Sequence, residues 1–251
     1  MALKTGVNSL EARIRDMLRR AAAGGRIRFS YFLDEKETFM ARELIKREKA
    51  ENVLFWGGYP DAERVMLGVF PGFMQPDKQA FPITAITADY RKCDRLSHRD
   101  FLGALLHAGI ERSALGDILV EEGRCVFFCR REVSDFLLSQ VTKIGGIGVR
   151  MRAGAVEPLP AAHHFAEWTA VIASARLDCA VAAAVCTSRE KASKLIRSGL
   201  VQLNHEIIAA PAEAVHVGDK LSVRGKGRFI LDQVGPVTKK GRLLIRGQKY
   251  L

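Results

Sequence analysis

The chain has 251 residues, with 39 Lys and Arg against 28 Asp and Glu, a net charge of +11 and an isoelectric point near 9.7. Hydrophobic residues at 48% and charged residues at 27% are those of a globular protein, which excludes a disordered or collagen-like chain. The longest small-apolar run, residues 179–186, falls far short of the roughly 20 residues a bilayer span needs, and the first 20 residues lack the apolar block of a secretion signal, so a soluble chain without a membrane partner is expected.

From Asn8, with Glu11 three residues on, Leu10, Ile14, Met17 and Leu18 recur at helical spacing until Gly24-Gly25, which predicts a first helix. A second is expected after Asp34, with Phe39, Met40, Leu44 and Ile45 on one face. Two short strands follow, 53–56 before Gly57-Gly58 and 64–70 before Pro71-Gly72, so residues 1–75 are expected to form an N-terminal α/β segment.

Near residue 82 the alternation becomes regular. A strand over 82–90 leads to a helix opened by Ser97 and Asp100, which continues through Leu102, Leu105 and Leu106. Strands at 116–120 and 125–129 flank Glu121-Glu122-Gly123, then come a helix over 133–144 and a strand over 146–156. The β-α-β-β-α-β order predicts a ferredoxin-like domain over 76–157, the topology of RNA-recognition modules. Phe127 and Phe128 are neighbours on a strand, so they face opposite sides and cannot make one base-stacking platform. His98-Arg99-Asp100 reads as a helix start; His98, Arg99 and Arg112 are candidates for partner contact rather than catalysis.

Five cysteines, an odd number in a chain able to form a core without staples, argue for a reducing cytoplasm and against a disulfide framework. Cys125 and Cys129 fall on one face of a strand with nothing to complete a tetrad, so buried thiols are expected there. His163 and His164 are adjacent and diverge on any regular element. No metal site is expected.

Pro158 and Pro160 mark a linker over 158–170, with a helical stretch beginning at Ala166. Residues 170–251 hold 14 of the Lys and Arg but only 6 acids, a net +8 that leaves +3 for the rest. Such asymmetry points to a polyanion partner, nucleic acid before membrane. Within 171–251, a helix over 176–185 packs with Leu177, Val181 and Val185. A second starts in the box Thr187-Ser188-Arg189-Glu190, buries Ala192, Leu195 and Ile196, and stops at Gly199. Arg189, Lys191, Lys194 and Arg197 occupy its remaining circumference. A strand over 200–208 turns at Asn204-His205, and Val217-Gly218-Asp219 turns into a strand over 220–224. Arg224-Gly225-Lys226-Gly227-Arg228 alternates glycines with cations, so the backbone can approach a ligand while the charges splay outward. Lys239-Lys240-Gly241-Arg242 and Arg246 extend the basic surface through a hairpin turn.

The order and spacing of Arg176-Leu177-Asp178, Ser188-Arg189, Ala192, Leu195-Ile196, Gly199, Val201, Leu203-Asn204 and Val217-Gly218-Asp219 into Leu221-Ser222-Val223-Arg224 resemble the S-four RNA-binding domain over about fifty residues. The resemblance implies RNA held against the second helix and the following loop, by Arg176, Ser188, Arg189, Lys191, Lys194, Arg197, Asn204, Arg224, Lys226 and Arg228. Such cations neutralise phosphates with little sequence reading, and the helix N-terminus at Ser188 offers backbone N–H groups to an anion. Helical RNA, with its base edges in a deep and narrow groove, is recognised by shape.

Beyond that domain the chain resembles the YlmH family. The matches are Tyr31-Phe32-Leu33-Asp34, Gly57-Gly58-Tyr59, Ala62-Glu63-Arg64, His98-Arg99-Asp100-Phe101-Leu102-Gly103, Gly109-Ile110, Arg112, Gly116-Asp117-Ile118-Leu119-Val120 and the Arg224–Phe229 loop. Lys226 stands where the family commonly has an aromatic, and His205 where a glycine or aromatic follows the Asn. The fold implied is α+β: a helical N-terminal segment, an RRM-like middle domain and the S-four domain. The function implied is a monomeric cytoplasmic RNA-binding factor, with rRNA, tRNA and the large ribosomal subunit as partners, acting in quality control of obstructed subunits that carry peptidyl-tRNA. A ribosome-assembly factor is the alternative. An RNA-modifying enzyme such as a pseudouridine synthase is disfavoured, because Arg176-Leu177-Asp178 opens the S-four domain and no catalytic domain follows it. No GxGxxG follows a strand and no P-loop is present, so no cofactor is expected.

Overall fold

Period-two burial decides the layering of the N-terminal half. The structure is a computed structural model that describes residues 2–162, 165–238 and 241–250, and it divides into two units, Met1–Ala162 and His163–Leu251. The first contains α1 (Ala2–Gly24), β1 (Arg28–Phe29), α2 (Glu35–Arg47), β2 (Val53–Trp56), β3 (Met66–Val69), β4 (Ile83–Asp89), α3 (His98–His107), β5 (Leu115–Glu121), β6 (Arg124–Arg130), α4 (Arg131–Gln140), the hairpin β7 (Lys143–Ile144) and β8 (Ile147–Gly148), and β9 (Arg150–Ala153). The second contains β10 (Phe165–Ile172), α5 (Leu177–Ala184), α6 (Arg189–Arg197), β11 (Val201–Leu203), β12 (Glu206–Ile207), β13 (Lys220–Val223), β14 (Gly227–Val237) and β15 (Leu243–Tyr250). The class is α+β.

In the first unit a sheet of order β1-β3-β2 lies over one of order β5-β6-β4-β9. Leu67 and Val69 of β3 join Leu10, Ile14, Leu44 and Ile45 of α1 and α2, whereas Met66 points the other way onto Val126 and Phe128 of β6. Phe127 and the thiols of Cys125 and Cys129 turn to the far side, under Phe101, Leu105 and Leu137 of α3 and α4. The result is four layers, helix-sheet-sheet-helix, and β3 is buried throughout because both its faces are covered. The sheet order and wholly antiparallel pairing of β4, β5, β6 and β9 are those of the expected ferredoxin-like fold. The expected boundary at 75/76 is no break in packing, since residues on either side of it share the core between the sheets.

Local chemistry sets the element ends. Asp34 caps α2, its carboxylate accepting from the Glu37 N–H at 2.8 Å while Glu37 accepts from the Asp34 N–H at 3.0 Å. The first helix begins at Ala2, ahead of Asn8, so Asn8 is inside it and not its cap. The helix expected over 133–144 is displaced to Arg131–Gln140; Gly145-Gly146, both with positive φ, turn the chain into a hairpin. The last strand of the sheet shortens accordingly to Arg150–Ala153.

The largest correction lies at the linker. Residues 165–172 form a strand, not a helix, and pair antiparallel with β15 along its whole length, from Phe165 opposite Tyr250 to Ile172 opposite Leu243. Strand burial alternates along Phe-Ala-Glu-Trp-Thr-Ala-Val-Ile, with Trp168, Ala170 and Ile172 reaching the core. Thr169, Val171 and Ile172 favour a strand, and period two was present in the sequence. The six strands of the second unit run β10-β15-β14-β13-β11-β12, and α5 and α6 cover one face through Leu177, Val181, Ala192 and Ile196.

Candidate nucleic-acid interface

The basic helix α6 is amphipathic as expected: Ala192 and Ile196 are buried, and Arg189, Lys191, Lys194 and Arg197 are exposed. Its cap is Ser188 rather than Thr187. The Ser188 hydroxyl accepts from the Lys191 N–H at 3.3 Å, which occupies that amide and fixes the first turn. Gly199, at φ +68°, ends the helix as its N–H bonds to Ile196 O and the Leu200 N–H to Leu195 O, a Schellman closure.

Beneath the start of α6 lies a buried carboxylate the sequence had not singled out as structural. Asp178 is 3% exposed and accepts from Arg176 Nε and Nη2 at 3.2 and 3.1 Å and from Arg189 Nε at 2.9 Å. Burial pushes its pKa up, but the hydrogen bonds from Arg176 and Arg189 outweigh that and hold it below the usual carboxylate value. The Arg-Leu-Asp motif is therefore a clamp that orients Arg189, not a nucleophile on display.

The glycine loop connects β13 to β14, with Val223 paired to Gly227 and Gly225 at φ +74°. The Arg224 N–H donates to Leu200 O at 2.9 Å, which sets the base of the loop beside the end of α6. Arg224 and Lys226 are exposed there. Arg228 departs from this group. It alternates with the core residue Phe229 and lies over the Tyr250 ring at 4.6 Å, on the sheet face away from the helices. Asn204 is also used by the fold: it holds a left-handed turn position (φ +48°), donates to Asp219 at 2.8 Å and accepts from the Lys220 N–H at 3.0 Å. Lys239, Lys240, His163 and His164 lie outside the described residues.

In the first unit, His98 opens α3 behind Ser97, whose N–H and hydroxyl both donate to Asp100, at 2.8 and 2.6 Å. Those bonds hold the Asp100 carboxyl below its ordinary pKa. Arg99 is exposed. The half-buried Arg112 has its guanidinium bonded to the carbonyls of Leu115 and Gly116. Burial and then the charge of Arg64 lower its pKa to about 10. Arg64 in turn donates to Leu115, Phe32 and Arg112 carbonyls, and Asp117 accepts from the Tyr59 hydroxyl and from the Glu63 and Arg64 N–H groups. Much of the motif set shared by residues 31–34, 57–64 and 112–117 is thus one polar joint that ties the N-terminal loops to the start of β5. Tyr59→Phe, which takes one of three donors from a carboxylate whose pKa burial already raises, is expected to cost about 1–2 kcal/mol by thermal melting, with RNA binding unchanged.

Burial raises the Cys125 thiol and pushes that of Cys129 up to about 12, so both stay neutral in the core. Among the described residues, no three His, Cys, Asp or Glu gather to hold a metal, and no helix is long and apolar enough to cross a membrane.

Over 86% of its length, and 85% of the relative's, the chain is 31% identical to the "Ribosome-associated protein quality control protein P2" of Bacillus subtilis (strain 168). The chain belongs to the YlmH family. Residues 76–157 of this YlmH family member match the family model described as "Putative RNA-binding domain in YlmH", and residues 175–221 match the S4 domain. A solved structure, "Cell division protein ylmH from Streptococcus pneumoniae", shares the fold with a TM-score of 0.52 at 19% identity, covering 59% of this chain and 90% of that one.

Proposed function

We propose that this YlmH family member is a non-catalytic factor that grips folded RNA through the cationic edge of its S4 domain. The observation that carries this reading is the exposure of Lys191, Lys194 and Arg197 along α6 together with that of Arg224 and Lys226 on the glycine loop, whose base is tied to Leu200 just past the helix. Arg189, held by Asp178, completes the edge. Side chains three and four apart on a helix stand about 5–6 Å from one another, close enough for a run of cations to follow one polynucleotide strand. A preset array of charges binds phosphates by geometry and releases counterions, and needs no bond-making step.

The name of the Bacillus subtilis relative supports a ribosome-associated role. The finer reading is binding of rRNA or tRNA on the large ribosomal subunit, in quality control of obstructed subunits that carry peptidyl-tRNA. Monomeric, cytoplasmic action belongs to the same reading.

Titrating the purified chain with labelled ribosomal RNA across salt concentrations tests it. Four or five phosphate contacts predict a log–log slope of about −3 to −4.5. A slope near zero, or modified nucleosides in RNA incubated with the protein, would refute a purely electrostatic binding factor. Electron microscopy of particles recovered with the tagged protein separates the stages: peptidyl-tRNA on mature large subunits supports quality control, and immature particles support assembly.

A further inference from the structure

RNA-recognition modules stack bases on the open face of their sheet, and here that face is closed. Val126, Phe128, Leu119 and Ala85 lie under the N-terminal sheet, and Tyr59 stacks on Phe128 at 5.1 Å. A polyanion that reaches this domain must therefore come to its helices or its edges.

On the helix side, an open groove of about 600 Å³ runs between α3 and residues 140–145 at the end of α4. Arg99, Gly103 and His107 line one wall at successive turns of α3, and Lys143 stands on the other with Gln140 and Thr142. All six are exposed. One acid also lines the groove: Asp100, at the helix start, is kept ionised by the Ser97 N–H and hydroxyl, so two cations face the groove against one carboxylate. Residues 141–156, which carry on from the Lys143 wall, include Arg150 and Arg152 and no acid, and Arg152 pairs with Asp89 at 2.9 Å.

Gly103 adds an independent observation. It sits in mid-helix with an ordinary helical φ, and a Cβ built there would meet nothing within 4 Å. Glycine is among the poorest helix formers, and neither packing nor backbone strain accounts for it at this position. What it does provide is bare backbone on that wall, between Arg99 and His107, where a ligand can approach closely.

We infer that this groove takes the phosphodiester backbone of RNA, with Arg99 and Lys143 holding phosphates from opposite walls, His107 extending the rim and Gly103 letting the strand lie against the helix. The inference rests on the reading that this chain binds RNA, not on the S4 edge, and concerns a separate surface. It gives the middle domain a mode of contact that does not use the sheet.

The test uses the full chain and a fluorescent RNA stem-loop, titrated across salt. Arg99→Ala with Lys143→Ala removes two phosphate contacts, so the slope should weaken by about 1.4–1.8 and affinity should fall roughly twentyfold near physiological salt. Gly103→Glu places its Cβ in open space and improves the helix, so it should melt no lower than the parent while losing at least as much affinity. If both variants bind the stem-loop as the parent does, while α6 variants lose binding, the groove does not hold RNA. Normal stem-loop binding with lost ribosome co-sedimentation would assign the groove to a protein partner and equally overturn the inference. If only the groove variants lose binding, the S4 reading fails and this one stands.

Discussion

Replacing Lys191, Lys194 and Arg197 together by alanine is expected to lower RNA affinity about a hundredfold near physiological salt while barely moving the melting temperature. Each phosphate contact contributes about 0.7–0.9 to the log–log salt slope, so three contacts amount to roughly two decades between 0.15 M and 1 M salt. The gap between parent and variant should therefore close as salt rises toward about 1 M. Stability is spared because all three side chains are exposed, and the ion pair lost, Lys194 with Glu190 at 2.8 Å, is a surface pair of little worth. Alanine is also the best helix former, so α6 persists. Isothermal or fluorescence titration at several salt concentrations, beside a melting curve, reads both quantities. A variant that binds as the parent does at low salt would remove α6 from the interface.

The second large effect concerns the clamp under α6. Arg176→Ala with Arg189→Ala is expected to destabilise the C-terminal unit by about 3 kcal/mol, because it strands the Asp178 carboxylate without compensation. Asp178→Asn should cost less, about 1 kcal/mol, since it removes the charge that needed compensating and leaves two arginines that reach water. The pH dependence gives the sign. In the parent the Asp178 pKa lies below its unfolded value, so its stabilisation is present above the unfolded value near 4 and is lost as pH falls through the folded one. In the double variant both arginines are gone, only the hydrogen bond with Cys179 still opposes burial, and that pKa rises. The penalty is then largest at neutral pH and recedes on acidification. Hydrogen-exchange protection of α5 and α6, followed from pH 7 down to about 4, separates the two cases. An equal loss for Asp178→Asn and for the double variant would show that the carboxylate is not the costly partner.

How far the sequence could be read varied with the range of the forces involved. The ends of α2, α3 and α6 were visible because caps and left-handed glycines act within four residues: Asp34, Ser97 and Gly199 do in the structure what their types demand. Even there the capping residue of α6 moved by one, from Thr187 to Ser188, since both neighbours can cap and only the packing of Ala192 and Ile196 chooses the phase. Residues 165–172 misled because two prolines nearby suggested a linker. The segment's strand character is realised only by pairing with β15, some eighty residues away.

The cationic edge divides in the same way. That Lys191, Lys194 and Arg197 share the open side of one helix follows from 3.6-residue periodicity and was determined by the sequence alone, as were the order of the ferredoxin-like elements and the placing of Phe127 and Phe128 on opposite faces. Tertiary structure decided which cations are available. It turned Arg228 to the far side of the sheet, tied Arg112 to backbone carbonyls, assigned Asn204 to a turn and set the glycine loop beside α6. It also covered the middle domain's sheet and left the groove of Gly103 open. The physical reason is that periodicity and caps are local to a few residues, whereas the partner that desolvates or neutralises a side chain arrives from distant chain, and only the folded arrangement brings it near.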